Sequence, residues 1–311
     1  MVSDRGSRDD ELYRAFDRQQ YLAVGKAERV VRRTLRARCI QQLSRKAKAG
    51  VTMSQPLFRH PFPVEAYFKH SLVLAYAVSA DRLRERLPPY LEVDTFEDRV
   101  GFVAAAFVDT RALRPKGFPA ILGRDFILAG YRIFVRYRDA RGRRLRGLYI
   151  LRSETNKTQM CVLGNFFTSY KYHHVPITFA ATPEALTISA PHGLDVSASI
   201  ATPVQEIALP HGSPFSSWKE ARRYSGPLPF TFSYHARRSE MVIVEGVREG
   251  WQPRPVEIVR AHVPTIEVLG FRDCQLANAF LVSDIPYFWK AGVVERLPHE
   301  RDVVDGAIDE E

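Results

Sequence analysis

The sequence predicts a mainly β, α+β chain built on a closed or nearly closed antiparallel sheet with a few helices. Three observations carry that prediction. From about residue 58 onward, short runs rich in apolar, β-branched and aromatic residues recur at roughly regular spacing between turn residues. Long helical patterns are few over the same region. Residues 130–155, GYRIFVRYRDARGRRLRGLYILRSET, alternate like two strands around a turn near DARG. Many strands with few helices favour closure, because a closed sheet has no exposed edges.

Taken in order, HSLVLAYAVS (70–79) is the first strand. DRLRERLPPYLEVDTF (81–96) is a short helix, started at a capping Asp81 and stopped by Pro88-Pro89. RVGFVAAAFVDT (99–110) is the second strand and 130–155 the hairpin. Strands then continue through 160–174, 177–182 and 185–193. SPFSSWKEARRYSG (213–226) is helical, with Ser216 or Ser217 as its cap. Residues 229–251 form a second hairpin, and the final strands fall at 265–271 and 278–289.

The chain has 311 residues, of which 45% are hydrophobic, enough for a substantial core. Its formal charge of +10 is uneven, since residues 1–50 alone carry a net +7. Within residues 9–48, Phe16, Val24, Ala27, Val31, Leu35 and Cys39 fall along one helical stripe among arginines. Such a basic helix can contact an anionic membrane surface or nucleic-acid phosphate, or pack on its own domain. Domain-like text begins just after Met53, so translation from that methionine is a further expectation, decided by the N-terminal mass of native protein. Cys39, Cys161 and Cys274 are odd in number and widely spaced, which argues against a disulfide framework. With no apolar signal core at the N-terminus, cytoplasmic localisation is expected.

Phosphate-loop, dinucleotide, GxSxG and HExxH signatures are absent. No cofactor is therefore expected. No metal site is expected either, because adjacent His173 and His174 on a strand point to opposite faces. The chemistry-bearing stretch is LGNFFTSYKYHHVPITF (163–179). Extended, it places Ser169, Lys171 and His173 on one side and Tyr170, Tyr172 and His174 on the other. A lysine attacks a carbonyl only when neutral, which burial or a nearby cation promotes. In the hairpin, Tyr131, Ile133, Val135 and Tyr137 share an apolar face, and Arg132, Phe134, Arg136 and Arg138 share the other. With the turn centred near Arg141, Arg132 is expected near Ile150 and Arg152, with Glu154 farther along that face. One outcome is an exposed sheet face. The sharper one is a pocket whose arginines clamp a planar carboxylate.

EAYFKHSLVLAYAV, LPPYLEVDTFEDRVGFVAAAFV, GRDFILAGYRIFVRY, RGLYILRSET, GPLPFTFSY, VIVEGVREGWQPRPV and AFLVSDIPYFWKAGV together resemble an uncharacterised bacterial family of the acetoacetate decarboxylase-like superfamily. The resemblance covers roughly residues 58–293. It implies a mostly antiparallel β-barrel or cone with a few helices and an internal pocket. Acetoacetate decarboxylases carry Gly-aromatic-Pro-Lys-Lys, whose first lysine forms an imine while the second depresses its pKa. The corresponding stretch here is Tyr170-Lys171-Tyr172-His173-His174. Lys171 falls about two residues early, or ~7 Å along a strand. The family's active-site glutamate is matched only by the candidate Glu154. Conventional acetoacetate decarboxylation is therefore not expected. His70 and Arg132 match positions expected in the unknown-function family.

These readings combine into a basic helical extension or tail at 1–55, a barrel domain at 56–296 and an acidic tail at 297–311. The barrel is expected to bind a small carbonyl or carboxylate compound. Its candidate catalytic residues are Lys171, His70, His173 and Glu154; Arg132, Arg152, Tyr170 and Tyr172 would hold the ligand. Lyase-like imine or acid–base chemistry is one expectation. A non-enzymatic ligand-binding or sensing barrel, able to form a homo-oligomer, is the other.

Overall fold

The computed structural model describes residues 59–226 and 228–298, all within the unit Pro56–Glu311. The expected N-terminal helix and nearly all of the acidic tail lie outside the described residues.

Seven strands pair in a ring. They are β1 (Val64–Ser79), β3 (Val100–Pro115), β4 (Arg124–Arg138), β5 (Arg144–Thr155), β10 (Phe230–His235), β11 (Glu240–Arg248) and β14 (Gln275–Trp289). The ring closes where Gly246–Arg248 pairs with Tyr287–Trp289. All its pairings are antiparallel except β5 with β10. Short strands β2 (Leu91–Val93), β6 (Tyr172–His174), β12 (Arg254–Pro255) and β15 (Val293–Arg296) extend this sheet. A second sheet contains β7 (Thr178–Ala181), β8 (Ala185–Ala190), β9 (Leu194–Ser199) and β13 (Glu257–His262).

The two sides of each long strand have different jobs, because successive side chains alternate. Leu72, Leu74, Val103, Ala105, Tyr131 and Ile133 pack into one core with Leu186, Ile188, Val196 and Ala198 of the second sheet. The intervening residues face a cavity and two smaller apolar clusters. Among the described residues, no helix is long and apolar enough to cross a membrane.

The hairpin forms as expected: Arg138 pairs with Arg144, which centres the turn on Arg141. Asp139 accepts hydrogen bonds from the backbone N–H groups of Arg141 and Arg143 and so builds the turn. Four local expectations change. The helix expected at 81–96 is only α1 (Ala80–Arg84), and Leu91–Val93 is a strand. Asp81 does not cap α1; it lies in the first turn and pairs with Arg84. Residues 158–167 form α2 (Thr158–Phe167), not a strand. Pro264 opens α4 (Pro264–Val268) where a strand was expected, its fixed φ and missing N–H suiting a first helical position. The helix α3 (Trp218–Ser225) is as expected, with Ser217 Oγ accepting from Glu220 N–H at 3.2 Å.

Candidate functional site

One row of facing residues makes the site possible. Strand pairing aligns Val73 with Ala106, Ala106 with Gly130, and Gly130 with Ser153. Three of the four are small, so they leave a trough across four strands. The next row joins Ala104 to Arg132 and Arg132 to Ile150. The Arg132 side chain folds back over the trough: a Cβ on Gly130 would meet its Nη2 at 2.7 Å and its Nε at 2.9 Å. Gly130 leaves room for that guanidinium through close approach rather than through an unusual φ. The resulting cavity measures about 110 Å³ and takes lining residues from every strand of the ring. That is well above the roughly 10–15 Å³ needed to admit one water.

Its polar equipment is rich in donors. Arg132 Nε, Tyr170 Oη and Trp251 Nε1 are buried without a hydrogen-bond partner, and all three residues line the cavity. Burial lowers the pKa of Arg132, and the groups that oppose this are the nearby phenols of Tyr287, Tyr172 and Tyr170 rather than a carboxylate. Burial also raises Tyr170 and Tyr287 and pushes Tyr172 up to about 12. These phenols therefore stay protonated near neutrality and can donate. Arg248 is a second lining cation, its guanidinium 4.5 Å from the Trp251 ring centroid.

Packing fixes the aromatic wall. Phe68 stacks on Tyr287 at 4.7 Å, and Tyr287 meets Trp289 at 4.4 Å between ring centroids. Two further glycines make room. A Cβ on Gly164 would lie 2.4 Å from the Tyr172 ring, and one on Gly246 would lie 2.0 Å from Tyr287 Oη. Asn165 then locks Tyr172, accepting its backbone N–H at 2.7 Å and donating to its carbonyl at 2.9 Å.

The structure brings Arg132, Tyr170 and Tyr172 to this cavity but not the other candidates. A β-bulge explains Arg152 and Glu154. The β4–β5 register jumps between Tyr131↔Arg152 and Arg132↔Ile150. The extra residue, Leu151, reverses the facing beyond it. Ser153 consequently lines the cavity, while Arg152 and Glu154 join Tyr131 on the opposite face. There Glu154 accepts from Arg152 Nε at 2.7 Å, Tyr131 Oη at 3.2 Å and Thr265 Oγ1 at 3.3 Å. Hence the expectation that Arg132, Arg152 and Glu154 share a face is corrected.

Lys171 adopts φ +54° and is exposed, its Nζ 5.4 Å from the Tyr149 ring centroid, outside the cavity lining. The protein packed around it lowers its pKa. His173 pairs alongside Glu154 in β6, where burial and then Arg152 lower its pKa. His70 follows another bulge in β1. It stacks on Phe179 of the second sheet at 6.1 Å, and its Nδ1 lies 3.0 Å from Ser283 Oγ; burial lowers its pKa. Sequence reasoning missed Arg248, Trp251, Tyr287 and Gly130. The phrase REGW at 248–251 held the signal for a cation beside an aromatic ring. Among the described residues, no group of three His, Cys, Asp or Glu could hold a metal ion.

The model of family DUF2071, described as an uncharacterized conserved protein, matches residues 65–286, and the chain belongs to this family. No curated protein matches it. Similar solved structures include acetoacetate decarboxylase from Legionella pneumophila subsp. pneumophila str. Philadelphia 1, 13% identical over 76% of this chain and 88% of that one, with a TM-score of 0.49. Another is an acetoacetate decarboxylase-like enzyme from Sphingomonas wittichii RW1, 15% identical over 81% and 100%, with a TM-score of 0.48. A third is the enduracididine biosynthesis enzyme MppR complexed with pyruvate, 10% identical over 79% and 93%, with a TM-score of 0.45. Identities this low say nothing about residues at the site.

Proposed function

We propose that this DUF2071 protein is a barrel that binds a small carboxylate ligand, its head on Arg132. One observation supports this most strongly. Arg132 is packed within the cavity wall, its Nε has no hydrogen-bond partner, and no described carboxylate pairs with it. A buried charge without a counterion is costly, and a planar carboxylate supplies both charge and bidentate acceptors. Tyr170 Oη and Trp251 Nε1 add donors for a second ligand oxygen, such as a carbonyl. Calorimetric titration with short carboxylates and oxo acids is the test. Binding that disappears in Arg132→Gln is expected, whereas unchanged affinity in that variant would refute the assignment.

Catalysis through Lys171 is a second reading, favoured by its left-handed backbone at φ +54° together with an amine pKa lowered by the protein around it. Borohydride reduction in the presence of aldehydes, ketones and oxo acids tests it independently. A stoichiometric adduct at Lys171, lost in Lys171→Met, would establish imine chemistry. Trapping no greater than on denatured protein would leave a binding barrel.

A further inference from the structure

The cavity is asymmetric: its donors Tyr172, Trp251 and Tyr287 pack against one apolar cluster, whereas the lining side chains of the other carry no donor. Arg132 lies over Gly130 and beside the row containing Ala106 and Ser153. Ala104, cross-strand partner of the Arg132 backbone and so one row from the guanidinium that lies over Gly130, belongs to an apolar cluster with buried Phe134 and with the partly buried Val73, Leu148 and Leu228 packed against it. Ala104 and those four apolar neighbours line the cavity. Ala104 and Ala106 are the small positions of β3 on this face, between Phe102 and Val108. A methyl group at 104 therefore leaves space that any larger aliphatic residue would fill.

We propose that Ala104 ends a compartment for an aliphatic tail, so that the ligand is a carboxylic acid with a short apolar chain whose permitted length this wall sets. The inference rests on the carboxylate reading above and adds the chemistry of the ligand's other end. A tail entering this compartment exchanges water for Val73, Phe134, Leu148 and Leu228, which favours each added methylene by roughly fourfold in affinity. Once the chain meets the wall, a further carbon forces overpacking and affinity falls. Length selection then rests on the alanine and its apolar neighbours, with Thr231, paired with Leu148, as the polar side chain beside them.

The experiment is calorimetric titration of straight-chain acids from propionate to decanoate against the full chain and three variants. For the native protein, affinity should climb with chain length to a maximum and then drop. Ala104→Leu should move that maximum to chains about three carbons shorter. Leu148→Ala, at a half-buried position, should move it the other way by a similar amount and still reads the same wall if Ala104→Leu does not fold. A maximum that stays in place in Leu148→Ala and in any folded Ala104→Leu would overturn the assignment. So would affinity independent of chain length while Arg132→Gln still abolishes binding; in that case the carboxylate reading survives. If no acid binds the native protein at any length, the carboxylate reading fails and this inference fails with it.

Discussion

At position 132 the chain places a part-buried guanidinium, its Nε fully shielded, in a cavity lined largely by apolar side chains. Nothing described offers Arg132 a carboxylate, and burial already lowers its pKa. Without ligand, that arrangement costs stability, because an unpaired buried ion keeps a desolvation penalty of several kcal/mol even after relaxation. Arg132→Leu should therefore make the unliganded protein more stable by about 1–3 kcal/mol while removing carboxylate affinity, the usual exchange at a functional site. Urea unfolding of both proteins without ligand measures it. A loss of more than about 1 kcal/mol in Arg132→Leu would mean that the guanidinium is well satisfied in the empty protein.

At the scale of elements, α2 and β6 are joined through a contact that only glycine permits. Two effects oppose each other when Gly164 becomes alanine. Helix propensity favours alanine by about 1 kcal/mol, but the new Cβ would sit 2.4 Å from the Tyr172 ring, and overpacking typically costs about 1–3 kcal/mol. Because Tyr172 is held on both backbone groups by Asn165, it cannot simply move aside. Gly164→Ala should come out net destabilising by roughly 1 kcal/mol, with weaker carboxylate binding. A more stable variant with native affinity would show that the contact yields freely. The same elements show what the sequence could express. Alternation placed Arg132 opposite Ile150, and a turn centred on Arg141 followed from DARG. The bulge at Leu151 was invisible, since neither Gly nor Pro marks it and its effect exists only relative to β4. Helix α2 was misread for a physical reason: its buried face is just Met160 and Gly164, while Val162, Leu163 and Phe166 are exposed. Apolar residues on the outside erase the helical stripe on which periodicity depends.

Across the whole molecule, His60 ties distant segments together and makes the fold sensitive to acid. Its N–H donates to the carbonyl of Phe167 at the end of α2, and its carbonyl accepts from Gly292 beyond β14, both at 2.8 Å. The ring is buried near Tyr170, and Nδ1 has no partner. Burial lowers its pKa from 6.5 to about 4. Between those values the unfolded chain holds a proton that the folded chain does not, so stability rises with pH across this window. The contribution is complete above about pH 6.5 and is lost as pH falls through about 4. A shift of that size corresponds to about 3 kcal/mol when fully expressed. His70, His173 and His235, also lowered by burial, act in the same direction. Replacing His60 by a neutral residue removes its share without touching theirs. His60→Gln should therefore lose about 2–3 kcal/mol less than the native protein between pH 7 and pH 4.5. Its stability at pH 7 can fall for separate packing reasons, so the informative quantity is the difference in pH slope. Urea titrations of both proteins at the two pH values provide it, and parallel slopes would mean that the ring finds a proton acceptor or solvent when charged.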